Sequence, residues 1–216
     1  MKALCAIVVI AGLIGVGGAP AWGDDLLPPP WRTAPPGQGA TTHQVWEFSL
    51  GANPTWANID NNLFGDPLAT VVGGLPETYW LDLDRGHQGV WRIEHYMALD
   101  IPNNPVYNDL KEIWLQITYA PVGVIRPPEI ASLPDYTALD LIRDIPIPLD
   151  VAYRHATYRL TIEPNPPHEI LYLLPRICYL YIDEIVVDTR CVPEPASLAF
   201  LGLGGLVLLA RRRRVN

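Results

Sequence analysis

Glu112-Ile113-Trp114-Leu115-Gln116-Ile117-Thr118-Tyr119 is the stretch whose reading decides the fold. In an extended chain successive side chains point to opposite faces, so Ile113, Leu115, Ile117 and Tyr119 share one side. Glu112, Trp114, Gln116 and Thr118 share the other. Helical spacing collects neither set, and the pattern predicts a strand with an apolar face on a core and a polar face outward. Residues 152–162 repeat it, with Ala156, Tyr158, Leu160 and Ile162 set against His155, Thr157, Arg159 and Thr161. Outward from this pair the texture stays the same: short apolar or alternating runs cut by Pro, Gly and Asn. Strands are expected at 45–50, 69–72, 79–83, 89–99, 112–119, 152–162, 170–174 and 179–188. Residues 138–142 read equally as a short helix or a strand. Residues 84–87, Asp-Arg-Gly-His, have the length of a hairpin loop. Eight or nine strands with turns about every ten residues predict an all-β sandwich of jelly-roll kind. No fixed-period repeat supports a propeller or solenoid.

The ends of the chain differ from this middle. Lys2 precedes an apolar run over residues 4–16, and Ala21-Trp22-Gly23 puts small residues at −3 and −1, so residues 1–23 read as a signal peptide cut before Asp24 by signal peptidase. Residues 24–42 form a linker in which five prolines and two glycines favour an extended spacer. Trp31 is the residue expected to plug that linker onto the domain at 43–190. Residues 191–216 make a tail: Pro193-Glu194-Pro195, an uncharged span over 196–210, then Arg211, Arg212, Arg213 and Arg214. As a helix the span covers about 22 Å, short of a ~30 Å hydrocarbon core, and it crosses with local thinning or with its arginines snorkelling. The arginine cluster places the far end on the cytoplasmic side of the inner membrane.

Pro-Glu-Pro, a short Gly- and Leu-rich span and a terminal arginine cluster, in that order, resemble the PEP-CTERM sorting signal of exported bacterial proteins. The resemblance implies recognition of Pro193, Glu194 and Pro195 by an exosortase, removal of the tail, and delivery to the cell surface or extracellular matrix. It also implies an association with exopolysaccharide. It is an address and does not state the cargo's chemistry. Within the domain, Tyr181-Ile182-Asp183-Glu184-Ile185-Val186-Val187-Asp188 resembles the closing strand of lectin-like and carbohydrate-binding jelly rolls.

Charge narrows the function classes. Removing Lys2 and the four tail arginines leaves ten of the fifteen bases, and removing Glu194 leaves 22 of the 23 acids, so the exported domain stands near −12. Nucleic acid needs a basic surface and is excluded as a partner. Neutral glycans and divalent cations remain compatible. Lys111 is the only lysine left after processing. A glycosidase needs two carboxylates across a sugar, and Glu94, Glu112, Glu163, Glu169 and Glu184 are the supply for the rival reading, a secreted polysaccharide hydrolase or lyase. The five histidines show no metal-ligand spacing, and no nucleophile elbow is present. No cofactor is expected beyond Ca²⁺, for which Asp60 and Asp66, in a loop rich in Asn and Asp, are the weak candidates; such residues also populate loops because they tolerate turn geometry.

Aromatic residues carry the best hint of function. Trp114 falls on the polar face of its strand beside Gln116, with Arg159 on a neighbouring one. An indole among hydrogen-bonding side chains suits sugar stacking. The alternative is that a loop covers Trp114 and makes it core. The domain therefore reads as a glycan-binding or structural surface module rather than an enzyme. Cys178 and Cys191 bracket the last strand, and thirteen steps of about 3.3 Å put their Cα atoms roughly 40 Å apart, too far to bond. Cys178 is expected buried, and Cys191 free in a stalk.

Overall fold

The computed structural model describes residues 26–32, 41–74, 76–104, 110–148 and 150–192. The expected signal peptide at 1–23, the span at 196–210 and Pro193, Glu194 and Pro195 lie outside them. The described chain is built of strands, in order β1 (Thr41–Trp46), β2 (Thr55–Trp56), β3 (Ile59–Asp60), β4 (Leu68–Val72), β5 (Tyr79–Asp84), β6 (His87–Ile93), β7 (Tyr96–Pro102), β8 (Leu110–Pro121), β9 (Glu129–Leu133), β10 (Ala138–Ile147), β11 (Asp150–Ile162), β12 (His168–Leu174) and β13 (Leu180–Val192). None of the described residues is helical.

Two antiparallel sheets form a β-sandwich. The larger runs β10-β11-β8-β13-β1-β3, with β6 also pairing β13 and carrying β5; the smaller runs β2-β4-β7-β12-β9. The core is the meeting of their inner rows. Ile113, Leu115, Ile117 and Tyr119 of β8 and Ala156, Leu160 and Ile162 of β11 face Met97, Leu99 and Ile101 of β7 and Leu171 and Leu173 of β12, all at most 1% exposed. The alternation expected for β8 and β11 thus supplies the inner face of the larger sheet. β5 and β6 are joined by Arg85-Gly86, both with φ in the left-handed region, as a two-residue hairpin turn requires.

The strands depart from the expected elements at several points; β1 spans Thr41–Trp46 rather than 45–50, and β2 and β3 fall where no strand was expected. The apolar run 89–99 is two strands: β6 ends at Ile93 in the larger sheet and β7 starts at Tyr96 in the smaller, so the chain changes layer at Glu94-His95. Neither Gly nor Pro marks that crossing, and alternation continues on both sides of it. Residues 138–142 resolve to strand as part of β10. β9, which had no counterpart in the sequence reading, lies at the edge of the smaller sheet against β12.

The cysteines are also placed differently. The two are not joined to each other in a disulfide: Cys178 is exposed in the turn before β13 and Cys191 is buried. β13 continues through Val192, so Cys191 sits within the sheet opposite Lys111 rather than in a stalk. The expected burial of Cys178 and exposure of Cys191 are therefore reversed.

Candidate functional site

The second face of β8 was expected to meet water, but Glu112, Trp114, Gln116 and Thr118 are at most 6% exposed. Register explains part of this. Across β11, β8 and β13, Arg159, Trp114 and Asp188 form one row, and Thr161, Glu112 and Arg190 the next. Cross-strand and diagonal neighbours on one face lie within reach of long side chains. Arg159 Nε meets Glu112 Oε1 at 2.7 Å, and Arg190 meets Oε2 through Nε at 2.7 Å and Nη2 at 2.6 Å.

The rest of the cover comes from the segment 26–32, which lies across this face. Leu27 N–H donates to Gln116 Oε1 at 2.8 Å, and Trp114 Nε1–H donates to the Leu27 carbonyl at 2.7 Å. Arg32 clamps Asp188 with Nε and Nη2, while His43 Nδ1 lies 2.9 Å from Asp188 Oδ1. Trp31 meets Trp114 edge to face, with centroids 5.7 Å apart and planes at 85°, and the Arg190 guanidinium stacks 4.2 Å from the Trp31 ring. These contacts hold the proline-rich segment, Trp31 included, on the sheet.

Beside Pro30 and Trp31 of this segment lies a shallow open depression of about 310 Å³, lined also by Glu112, Trp114, Arg159 and Arg190. Its rim offers guanidinium donors, Arg159 being 46% and Arg190 36% exposed, while Glu112 is 4% exposed. Both arginines spend part of their donor capacity on that one carboxylate. Each guanidinium carries five N–H groups, so donors remain for a bound molecule.

Of the residues singled out in sequence, Trp114 and Arg159 come together at this depression. Gln116 does not join them: it lies beneath Leu27, where its Oε1 also faces His155 Nε2 at 3.2 Å. Trp31, Glu112 and Arg190 complete the lining. Their signal in the sequence was parity for Glu112 and a lone Trp in a proline spacer for Trp31. Burial, with Arg143 acting in the same direction and Asp144 opposing, pulls the His155 ring down to about 4, so it is neutral at physiological pH. Asp60 Oδ1 caps the Asn62 N–H at 2.8 Å, an Asx-turn role, and burial and Asp66 push its carboxyl up while that hydrogen bond lowers it. Among the described residues no group of three or more His, Cys, Asp and Glu side chains is arranged to hold a metal. Glu112 and Glu169, two of the glutamates considered for catalysis, belong to different sheets, the first in the outer row of β8 in the larger sheet and the second on β12 of the smaller sheet, facing the core.

Residues 192–214 match the PEP-CTERM protein-sorting motif. The chain is accordingly an exported protein, anchored at its C-terminus before processing by an exosortase. No curated protein and no solved structure matches the chain.

Proposed function

We propose that this PEP-CTERM protein carries a glycan-binding module to the cell surface or extracellular matrix, with the depression beside Trp31 as its sugar site. The observation that carries the reading is the lining itself: two indoles, one edge-on to the other, with two partly exposed arginines around them. Indole surface suits the apolar face of a sugar ring, and guanidinium N–H groups suit its hydroxyls. Exosortase sorting supplies a setting in which exopolysaccharide is the natural ligand. The acidic domain fits a neutral or locally recognised sugar better than a polyanion. The rival, a polysaccharide hydrolase or lyase, has less support, because among the described residues the depression carries a single carboxylate, Glu112, already engaged by two arginines. Hydrolysis at a sugar takes two carboxylates.

A glycan-array screen of the exported protein tests the reading. Selective retention of a set of related glycans without their breakdown is the expected result. Absence of any retained glycan overturns the binding role, and release of shortened products moves the domain to the enzyme class.

A further inference from the structure

A polar cluster sits inside the sandwich core at the end where the sorting tail leaves. Lys111 heads the inward row of β8 ahead of Ile113 and Leu115, and Glu169 heads the inward row of β12 ahead of Leu171 and Leu173; neither has any exposed surface. They face each other across the two layers. Lys111 Nζ lies 3.1 Å from Glu169 Oε1 and donates to Asn103 Oδ1 at 2.6 Å. Asn103, 4% exposed, directly follows β7. Its Nδ2 donates to Asn165 Oδ1 and to the Pro166 carbonyl, both at 2.6 Å, which turns the side-chain carbonyl toward the lysine. That carbonyl oxygen also accepts the Asn104 N–H at 2.8 Å. Cys191 closes the cluster, its Sγ 3.6 Å from Asn165 Nδ2.

Two opposite charges in a dry interior cost much of what their attraction returns. Moving one proton from the lysine ammonium to the glutamate removes both charges and frees the amine lone pair. Burial pushes the Glu169 carboxyl well above the usual carboxylate range, with Lys111 opposing. Apart from the close approach of Lys111 Nζ to Oε1, neither carboxyl oxygen has a hydrogen-bond partner among the described residues. The Lys111 nitrogen stands against an amide carbonyl whose oxygen is already held by a backbone N–H, the arrangement that stabilises charge developing on that oxygen.

We propose that Lys111 and Asn103 join in an intramolecular isopeptide bond, with Glu169 as the proton carrier. Lys111 Nζ bonds to Asn103 Cγ while the Asn104 N–H holds the charge that builds on Oδ1. Glu169 gives its proton to Asn103 Nδ2 and takes one from Nζ. The Cγ–Nδ2 bond breaks and ammonia leaves. Atoms and charges balance, Glu169 ends as it began, and no oxidant or cofactor is consumed. The product links the start of β8, in the larger sheet, to the end of β7, in the smaller. It pins the two layers together at the end of the sandwich next to the sorting tail. As the only lysine of the exported domain, Lys111 has no competitor for the reaction.

The test is a tryptic digest of the exported protein, purified from its producing cells, unfolded, digested and read by tandem mass spectrometry. An unlinked chain is cut after Arg92 and Lys111 and yields the peptide 93–111. A linked chain resists cutting at Lys111, and because Arg126 precedes Pro127 it yields the fragment 93–143, lighter by one ammonia. The linked fragment is the expected result, and recovery of peptide 93–111 from the folded protein in its place overturns the proposal. Glu169→Gln keeps the shape of the side chain and is expected to lose most of the linked fragment. A Glu169→Gln protein linked to the wild-type extent would remove Glu169 from the mechanism. If that variant does not fold, the wild-type digest alone decides whether the bond exists.

Discussion

Replacing Trp114 with alanine separates the two roles that its position on β8 suggests. The indole is 6% exposed, its Nε1–H is bonded to the Leu27 carbonyl at 2.7 Å, and it forms the surface on which Trp31 rests edge-on. Truncating a buried Trp costs about 3–5 kcal/mol. Within that total, the aromatic pair accounts for roughly 0.5–1.5 kcal/mol and the hydrogen bond for about 1 kcal/mol, the latter softened because the Leu27 carbonyl lies close to solvent. Trp114→Ala is expected to cost about 3–4 kcal/mol by this reckoning. Trp31→Ala, at a half-buried residue, is expected to cost about 1 kcal/mol. Urea denaturation of the two variants beside the wild type measures both, and in a domain of this size each kcal/mol lowers Tm by roughly 2–4 °C. A loss below about 1 kcal/mol for Trp114→Ala at unchanged m-value would refute the reasoning. So would equal losses for the two tryptophans.

Three further outcomes are expected. The neutral His155 ring, 1% exposed, donates to Gln116 and accepts from Thr118 Oγ1. Its pKa falls from 6.5 in the unfolded chain to about 4, so the stability it contributes is complete above pH 6.5. That stability fades as pH drops toward 4, amounting to about 3 kcal/mol. A stability-versus-pH series should show that slope, and His155→Gln should flatten it; an identical slope in the variant refutes the assignment. Alkylation of the native protein should label Cys178 and spare Cys191, with a second label appearing on unfolding without reductant; a chain that takes no label even when unfolded would contain the disulfide that the structure lacks. Alanines at Pro193, Glu194 and Pro195 should leave the protein uncleaved in the membrane fraction, and normal export of that variant contradicts exosortase recognition of those residues.

Local pattern made part of this molecule legible. The period-two rows of β8 and β11 are the inner face of the larger sheet, and the 84–87 loop is a hairpin, because parity and turn chemistry are local properties. The break at Glu94-His95 was not legible, since alternation runs through it and only the sheet pairing of β6 and β7 separates the two strands. Burial of the outer face of β8 was not legible either. It depends on residues 26–32 crossing the sheet, with Leu27 and Trp114 in contact 87 positions apart. Trp114 and Glu112 share a face by parity and Arg159 was placed nearby by composition, whereas Arg190 joins them through the register of β13 on β8. The Lys111–Glu169 pair left a trace that went unread: each shares the parity of an apolar inner row, which is where a charged residue needs a partner.

The central claim, that the depression beside Trp31 is a ligand site, is tested most directly by calorimetric titration of the exported protein with the glycan best retained on the array, wild type against Trp31→Ala. The account predicts that the variant keeps its fold and binds at least about tenfold more weakly, a loss of about 1.4 kcal/mol. Equal affinity in the two proteins would contradict it.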